Sequence, residues 1–422
     1  MSDRRVLRAL ALLAALAPGP LRAQEVSADT LHVRPVGGED VRELIGHVLL
    51  TQEATRVRCA RALEYLRTGV FLLFGNVVVT DDTMTLRAPR GRYDRPARVA
   101  EVFDRVELEQ AGTTLHAGYG EYFAGERRAF FHTGVVVVDS SSVVHADTLE
   151  YWRDSRRSRA RGRVVVESPA DRLTIFGGLL DHDPARLYSR MTVDPLMVQL
   201  DSAAGGTFDT LQVRGRVLEA FRDSSHRLVA TDSVTLVRAD LAARARYACY
   251  YTAADSIVLR ASPVLWYRDT QVAGDSIDVR LEHRKVRTLV VNGSALAVSR
   301  SDSLHPGRFD QLEGDRLRML FGAEGLARTD VEGRAVSLYH LYDDTLANGL
   351  NRTSGDRIVI RFAGGKAQRI AVYGGVEGQY FPENMVRGRE AEYALPGFAW
   401  RTDRPRIAKA GAALNRHTGT GP

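Results

Sequence analysis

The chain is poor in lysine. Only Lys285, Lys366 and Lys409 stand among its basic residues; the rest are arginine. A formal net charge of +6 suits an anionic partner such as a phosphate-bearing lipid or nucleic acid. A basic complement that is almost all arginine reads first as a compositional habit spread over the chain, not as one binding face. Cysteine is scarcer still: Cys59 and Cys249 are too few for a disulfide framework. There is no Cys-x-x-Cys, and the histidines, among them His132, His145 and His182, form no close ligand pair, so neither a metal site nor a cofactor is expected. A Gly-x-Ser-x-Gly elbow and a phosphate loop are missing too, which argues against a serine hydrolase and a nucleotide hydrolase. No apolar run reaches the roughly 20 residues of a membrane helix.

The N-terminus carries a different signal. Arg4, Arg5 and Arg8 precede the apolar stretch Ala9–Ala17, Pro18-Gly19-Pro20 breaks it, and Ala23 supplies a small residue at a cut. That is the layout of a secretory signal peptide over residues 1–23. It places the mature chain outside the cytoplasm and argues against nucleic acid as a ligand.

Beyond it the chain repeats. Cys59, Ala88, Ala117 and Ala146 recur at one constant step; Tyr65, Tyr93, Tyr122 and Tyr151 form a second column; Gly46, Gly75, Gly134 and Gly162 form a third, with Asp104 near the missing place. Period-2 alternation of β-branched residues between turn residues predicts strands. A helix over Glu53 to Tyr65 is conceivable, but the columns pass through it and favour a strand. In Val144-x-Ala146-x-x-Leu149-x-Tyr151 the phase slips by one residue. Such a slip flips side chains to the other face unless the strand bends, so each unit is expected to turn a corner.

A phrase small-Asp-x-Leu/Ile marks that corner at Asp29, Asp147, Asp255, Asp275, Asp315 and Asp356. Recurrence of the aspartate along a stack argues for a turn-former bonding its own backbone two residues on, not for a catalytic pair. The 40- and 41-residue steps at the end read as doubled units with a degenerate copy between. The Arg-rich stretch 153–163 reads as a solvated inter-strand loop. Together these predict an all-β, elongated, solenoid-like stack of short antiparallel strand units. Its expected limits are 24–200 for the 29-residue repeats, 201–400 for continuing repeats forming a possible second domain, and 401–422 for a disordered tail.

The phrases Gly75-Asn76-Val77-Val78-Val79, Thr85-Leu86-Arg87-Ala88 with Tyr93-Asp94, and Ala146-Asp147-Thr148-Leu149-Glu150-Tyr151 resemble the OstA-like family over about residues 26–180. That family comprises the periplasmic lipopolysaccharide-transport bridge protein and the N-terminal domain of the outer-membrane lipopolysaccharide translocon. The resemblance implies that this stack is an elongated, open β-jelly-roll with an apolar interior, and that the protein is a lipid-binding bridge carrying lipopolysaccharide or a similar glycolipid toward the outer membrane. It also implies a periplasmic location, with a possible association with the outer membrane, and partners among the other jelly-roll components of the bridge at both membranes. Open terminal strands add head-to-tail self-association. Candidate groove residues come in pairs along the strands: Val77 and Val79, Leu86 and Ala88, Val106 and Leu108, Leu115 and Ala117, Val135 and Val137, Val144 and Ala146, Val164 and Val166. The same residues would serve as an ordinary closed core in a structural or adhesive cell-surface β-solenoid, the main alternative. An outer-membrane barrel fits less well, because its strands are longer and its aromatic girdles differ. A β-helix enzyme would need a clustered carboxylate set that the sequence lacks.

Overall fold

In the computed structural model the described residues are 25–52, 55–80, 84–202, 208–282, 285–301, 305, 307–323, 325–343, 346–364 and 366–407. The signal-peptide expectation, at 1–23, lies outside them. The chain divides into two compact units, with the boundary at Gln199/Leu200. Strand pairing throughout the described residues is antiparallel, and the sheet is not a closed barrel.

The first unit is a meander. Its strands are β1 (Glu25–Ser27), β2 (Thr30–Val36), β3 (Glu39–Gln52), β4 (Thr55–Tyr65), β5 (Val70–Thr80), β6 (Met84–Asp94), β7 (Val99–Gln110), β8 (Thr113–Phe123), β9 (Arg128–Val138), β10 (Val143–Trp152), β11 (Arg157–Ser168), β12 (Leu173–Asp183), β13 (Tyr188–Thr192) and β14 (Leu196–Ser202). From β3 to β12 each strand pairs with the one before and the one after. At each end the strand is broken in two: β1 and β2 share β3, and β13 and β14 share β12. Residues 55–65 are strand, as the repeat columns favoured. Of the Arg-rich stretch, only 153–156 form the turn; Arg157, Arg159, Arg161 and Arg163 lie on β11, so the loop reading holds for its first third alone.

The expected corner is present in every long strand. Register shifts fall at His145/Thr148, Phe74/Val77, Arg87/Arg90 and Phe103/Val106. The glycine column supplies left-handed backbone there: Gly46 (φ 75°), Gly75 (φ 74°), Gly134 (φ 66°) and Gly162 (φ 96°), while Asp104 takes the same region at φ 62°. These are β-bulges, whose extra residue bends the strand and restores the apolar set to the buried side. The aspartate phrase does something other than cap its own turn. Asp29, Asp147, Asp275, Asp315 and Asp356 each lie where a methyl on the left-handed glycine of the following strand would fall: Gly46, Gly162, Gly293, Gly333 and Gly374. Asp147 shows the bonding: its carboxylate accepts from the Arg163 backbone N–H at 3.2 Å and from the Arg163 guanidinium at 2.8 Å. Asp255 is not one of the set. It sits in a tight turn at φ 45° and accepts from the Tyr250 hydroxyl at 2.9 Å.

The second unit repeats the bent-strand design at greater length. Its strands are β15 (Phe208–Arg214), β16 (Val217–Phe221), β17 (Arg227–Val237), β18 (Leu241–Tyr251), β19 (Ser256–Arg260), β20 (Val264–Tyr267), β21 (Thr270–Ala273), β22 (Ser276–Glu282), β23 (Lys285–Arg300), β24 (Phe309–Gly322), β25 (Gly325–Asp343), β26 (Leu346–Ala363), β27 (Lys366–Tyr373) and β28 (Glu377–Pro382), followed by the short helix α1 (Glu383–Val386). The 40- and 41-residue steps are single pairs of long strands, β23 to β26, not doubled units with a lost copy.

After α1 the chain runs back as a strap. Val386 and Leu395 pack with Leu338 and Leu350; Phe398 and Trp400 lie against Phe309. Two buried glutamines hold its main chain. Gln311 accepts from the Leu395 N–H at 2.9 Å, and Gln271 donates to the Ala399 carbonyl at 2.6 Å while accepting from the Arg401 N–H at 2.8 Å. Arg404 donates to the Arg268 carbonyl at 2.6 Å. The stretch expected as a tail therefore touches the sheet at 401–404, and residues 408–422 lie outside the described set. Register places Ala242, Trp266, Gln271, Val298, Gln311 and Leu338 on one face, opposite Val272, Ala297 and Leu312.

Candidate functional site

Directly opposed residues on antiparallel strands share a face, and the pairing of the first unit joins the candidate residues into rows. Val79 opposes Leu86, Leu86 opposes Leu108, Leu108 opposes Leu115, Leu115 opposes Val137, Val137 opposes Val144, and Val144 opposes Val166. This is one unbroken apolar row over seven strands. A second row, one step nearer the bend, pairs Val77 with Ala88, Val106 with Ala117 and Val135 with Ala146, and Val164 opposes Gly177. Twelve of the fourteen candidates are buried; Val144 and Val166 are half-buried. Their outward neighbours Arg87 and His116 are exposed.

The first row is longer than the sequence suggested. It continues through Val57, Leu50 and Val26 on one side and through Ile175 and Met197 on the other. A usable signal existed for Val48 and Leu50, which follow Gly46 by two and four residues as Val77 and Val79 follow Gly75. Cys59 opposes Val48 in the slot that Ala88 fills against Val77. It is a small buried residue, unbridged, as is Cys249, and burial pushes its thiol up to about 11.

Beyond the bend a third row alternates large and small from Leu44 to Phe131 and then sets two large residues side by side: Leu44, Ala62, Leu73, Gly91, Val102, Gly120, Phe131, Leu149 and Ala160. Gly120 shows why. A methyl there would lie 2.9 Å from the Phe131 ring and 3.1 Å from Val102. The aromatic column runs alongside, with Phe71 opposite Tyr93, Tyr122 opposite Ala129, and Ala129 opposite Tyr151. Tyr65 does not belong to it. Glu64 opposes Phe71 and takes the inward place, one repeat before Tyr93. Its buried carboxylate is paired with Arg42 and Arg95, both at 3.2 Å. Burial also raises the Tyr151 phenol to about 12.

The outer face is chemically opposite, a lattice of cross-strand ion pairs. Arg61 and Arg34 flank Glu43, Arg92 pairs with Glu101 at 2.5 Å, and Arg128 and Arg161 flank Glu150. Residues 25–175 match the family model of OstA-like proteins. This segment is an OstA-like domain. Its limits fall close to those the short phrases suggested, and it spans β1 to the start of β12, the strands that carry the rows. Among solved structures the chain is similar to LptH of Pseudomonas aeruginosa, described as the LptA homologous periplasmic component of the conserved lipopolysaccharide transport device. Identity is 12%, the TM-score is 0.27, and the match covers 34% of this chain and 95% of that one. No curated protein matches the chain. No helix among the described residues is long and apolar enough to cross a membrane.

Proposed function

We propose that the OstA-like domain carries lipopolysaccharide or a similar glycolipid through the periplasm, its acyl chains lying along the row from Val79 to Val166. The observation that supports this most is the continuity of that row across seven strands without a polar side chain. Burial of apolar surface is worth about 0.8 kcal/mol per CH₂, so a multi-chain lipid needs such a continuous dry track to cross water. A uniform row offers no deep well in which the lipid would stall. The family match and the role stated for LptH agree with this reading. The partners are then other jelly-roll components of the same device, joined by strand addition at open edges, and the protein acts as a carrier without catalysing a reaction.

A second reading has its own support. Leu86 is 0% and Leu115 1% exposed, which suits a closed structural core in a surface solenoid. Photo-crosslinking separates the two. A photoreactive residue replacing Leu115 in the exported protein is expected to trap lipopolysaccharide, and one replacing the outward His116 is not. A folded protein that gives no adduct at Leu115 or Val137 gives first place to the structural solenoid.

A further inference from the structure

The turns at one end of the first unit form a ladder of their own. Residues 66–69, 95–98, 124–127 and 153–156 are four-residue turns, one per repeat. Each is tied to the last through its main chain: Arg95 N–H to the Gly69 carbonyl at 3.2 Å, Ala124 N–H to Arg98 at 3.0 Å, Arg153 N–H to Arg127 at 2.9 Å. With two strands per repeat, neighbouring turns stand about 10 Å apart. The fourth residue of every turn is left-handed: Gly69 (φ 71°), Arg98 (φ 58°), Arg127 (φ 51°) and Arg156 (φ 56°). That region favours glycine and costs an ordinary residue energy, yet three of the four places hold arginine.

The charges of this ridge do not cancel. The four turns carry Arg67, Arg95, Arg98, Arg127, Arg153 and Arg156 against Glu126 and Asp154. Arg67 is satisfied by Glu39, Arg95 by Glu64 and Arg127 by Asp154, while Glu126 is taken by Arg128. Arg98, Arg153 and Arg156 have no counter-ion among the described residues, and the Nε of Arg98 is buried without a partner. On the sheet faces of the same unit, by contrast, arginines are largely paired across strands.

We propose that this ridge is a binding site for phosphate groups displayed on lipid, with Arg98, Arg153 and Arg156 as its contacting residues. A guanidinium presents a planar fork that matches phosphate oxygens two at a time. Unpaired forks on the second and fourth turns, about 20 Å apart, suit more than one headgroup at a time; a single small anion would need one enclosed pocket. The site goes beyond the carrier reading and does not depend on it.

The test is vesicle co-sedimentation of the full mature chain. The probe is phosphatidylcholine vesicles with and without phosphatidic acid, at low and at physiological salt. Binding is expected only with phosphatidic acid and is expected to weaken with salt. Arg98→Gln/Arg153→Gln/Arg156→Gln should lower it on the order of 100-fold. Arg56→Gln/Arg58→Gln/Arg105→Gln, which removes three exposed arginines elsewhere on the same unit and makes the same charge change, should leave it within about threefold. Competition with millimolar inorganic phosphate tells whether the phosphate group alone suffices or its display on lipid is needed. No binding by the wild-type chain, an unaffected ridge variant, or an equal loss in both triple variants would overturn the site. Crosslinking at Leu115 is read separately, so either proposal can fail while the other stands.

Discussion

A methyl group added to Gly162 would overlap the Asp147 carboxylate, whereas one added to Gly134 would meet open space. Both glycines are left-handed, so both alanine variants carry the backbone cost of about 1–2 kcal/mol. Gly162→Ala must also expel Asp147 from Arg163. In urea unfolding, Gly134→Ala is expected to lose about 1 kcal/mol and Gly162→Ala about 2–3 kcal/mol. Asp147→Ala should recover part of the second loss but none of the first, a coupling that a double-mutant cycle reads directly. Arg163 holds the Asp147 carboxyl below the usual carboxylate range. Its contribution is therefore complete above that range and disappears as pH falls through the lowered value. The pair is half in solvent, so the effect stays below about 1 kcal/mol. The stability gap between wild type and Asp147→Asn should be present at pH 7 and closed near pH 2. At this scale the glycine column was legible, because a bulge needs a left-handed residue at a fixed place. The partner of each aspartate was not, since it lies on the next strand, as Gly162 does for Asp147. Nor was the substitution of Glu64 for a tyrosine, which a neighbouring Tyr65 disguised in the count.

Among the elements, the strap of the second unit depends on an ion pair that is nearly dry. The Arg308 side chain is 4% exposed and donates to Glu383 at 2.7 Å and to Glu390 at 3.3 Å. Glu383 keeps Arg387 at 3.1 Å and the Glu390 side chain is 27% exposed, so Arg308→Ala strands neither carboxylate completely and is expected to cost about 1.5–3 kcal/mol through the lost charged hydrogen bonds. The hydrogen bond from Arg308 holds the Glu383 carboxyl below its ordinary value. That stabilisation is complete above the usual glutamate range and lost as pH falls through the lowered one, so the stability gap between wild type and Glu383→Gln should be full at pH 7, narrow below the usual glutamate range and close only below the lowered value. A chain ending at Leu395 loses Phe398 and Trp400 from the face that carries Trp266, Gln271 and Phe309. Its amides over 264–273, 296–301 and 309–313 are expected to exchange faster, with those of β5 to β11 unchanged. Equal exchange in both proteins would mean that the strap holds nothing in place. Sequence pattern announced strands and corners correctly, because alternation and phase slip are local properties. The strap went unread because residues 395–404 have no period of their own. Their fit is to side chains that stand far earlier in the chain, such as Gln311 and Gln271.

For the molecule as a whole, the exposed edges matter most. Among the described residues β1 and β2 pair with β3 alone, and Leu31 and Val33 on β2 are exposed. In the second unit, β27 and β28 pair with β26 and present Ile370, Tyr373 and Tyr380. Unpaired edges of this kind recruit further strands. Light scattering is expected to show association that grows with concentration in the wild-type chain and is lost in Leu31→Lys/Val33→Lys; a monomer at every concentration would remove head-to-tail contact from the proposed function. The sequence by itself determined the all-β class, the period and the corners of the first unit, together with the alternation that places Val77 to Val166 on one face. Side-chain period and glycine conformation are set by each residue and its near neighbours. Only the tertiary structure decided that the separate pairs line up as one row, that the last long steps are long strands, that four arginine-bearing turns stack into a ridge, and that a C-terminal strap closes the second face of the later unit. Those outcomes depend on register and on contacts between residues far apart in the chain, which pairing fixes and local pattern does not.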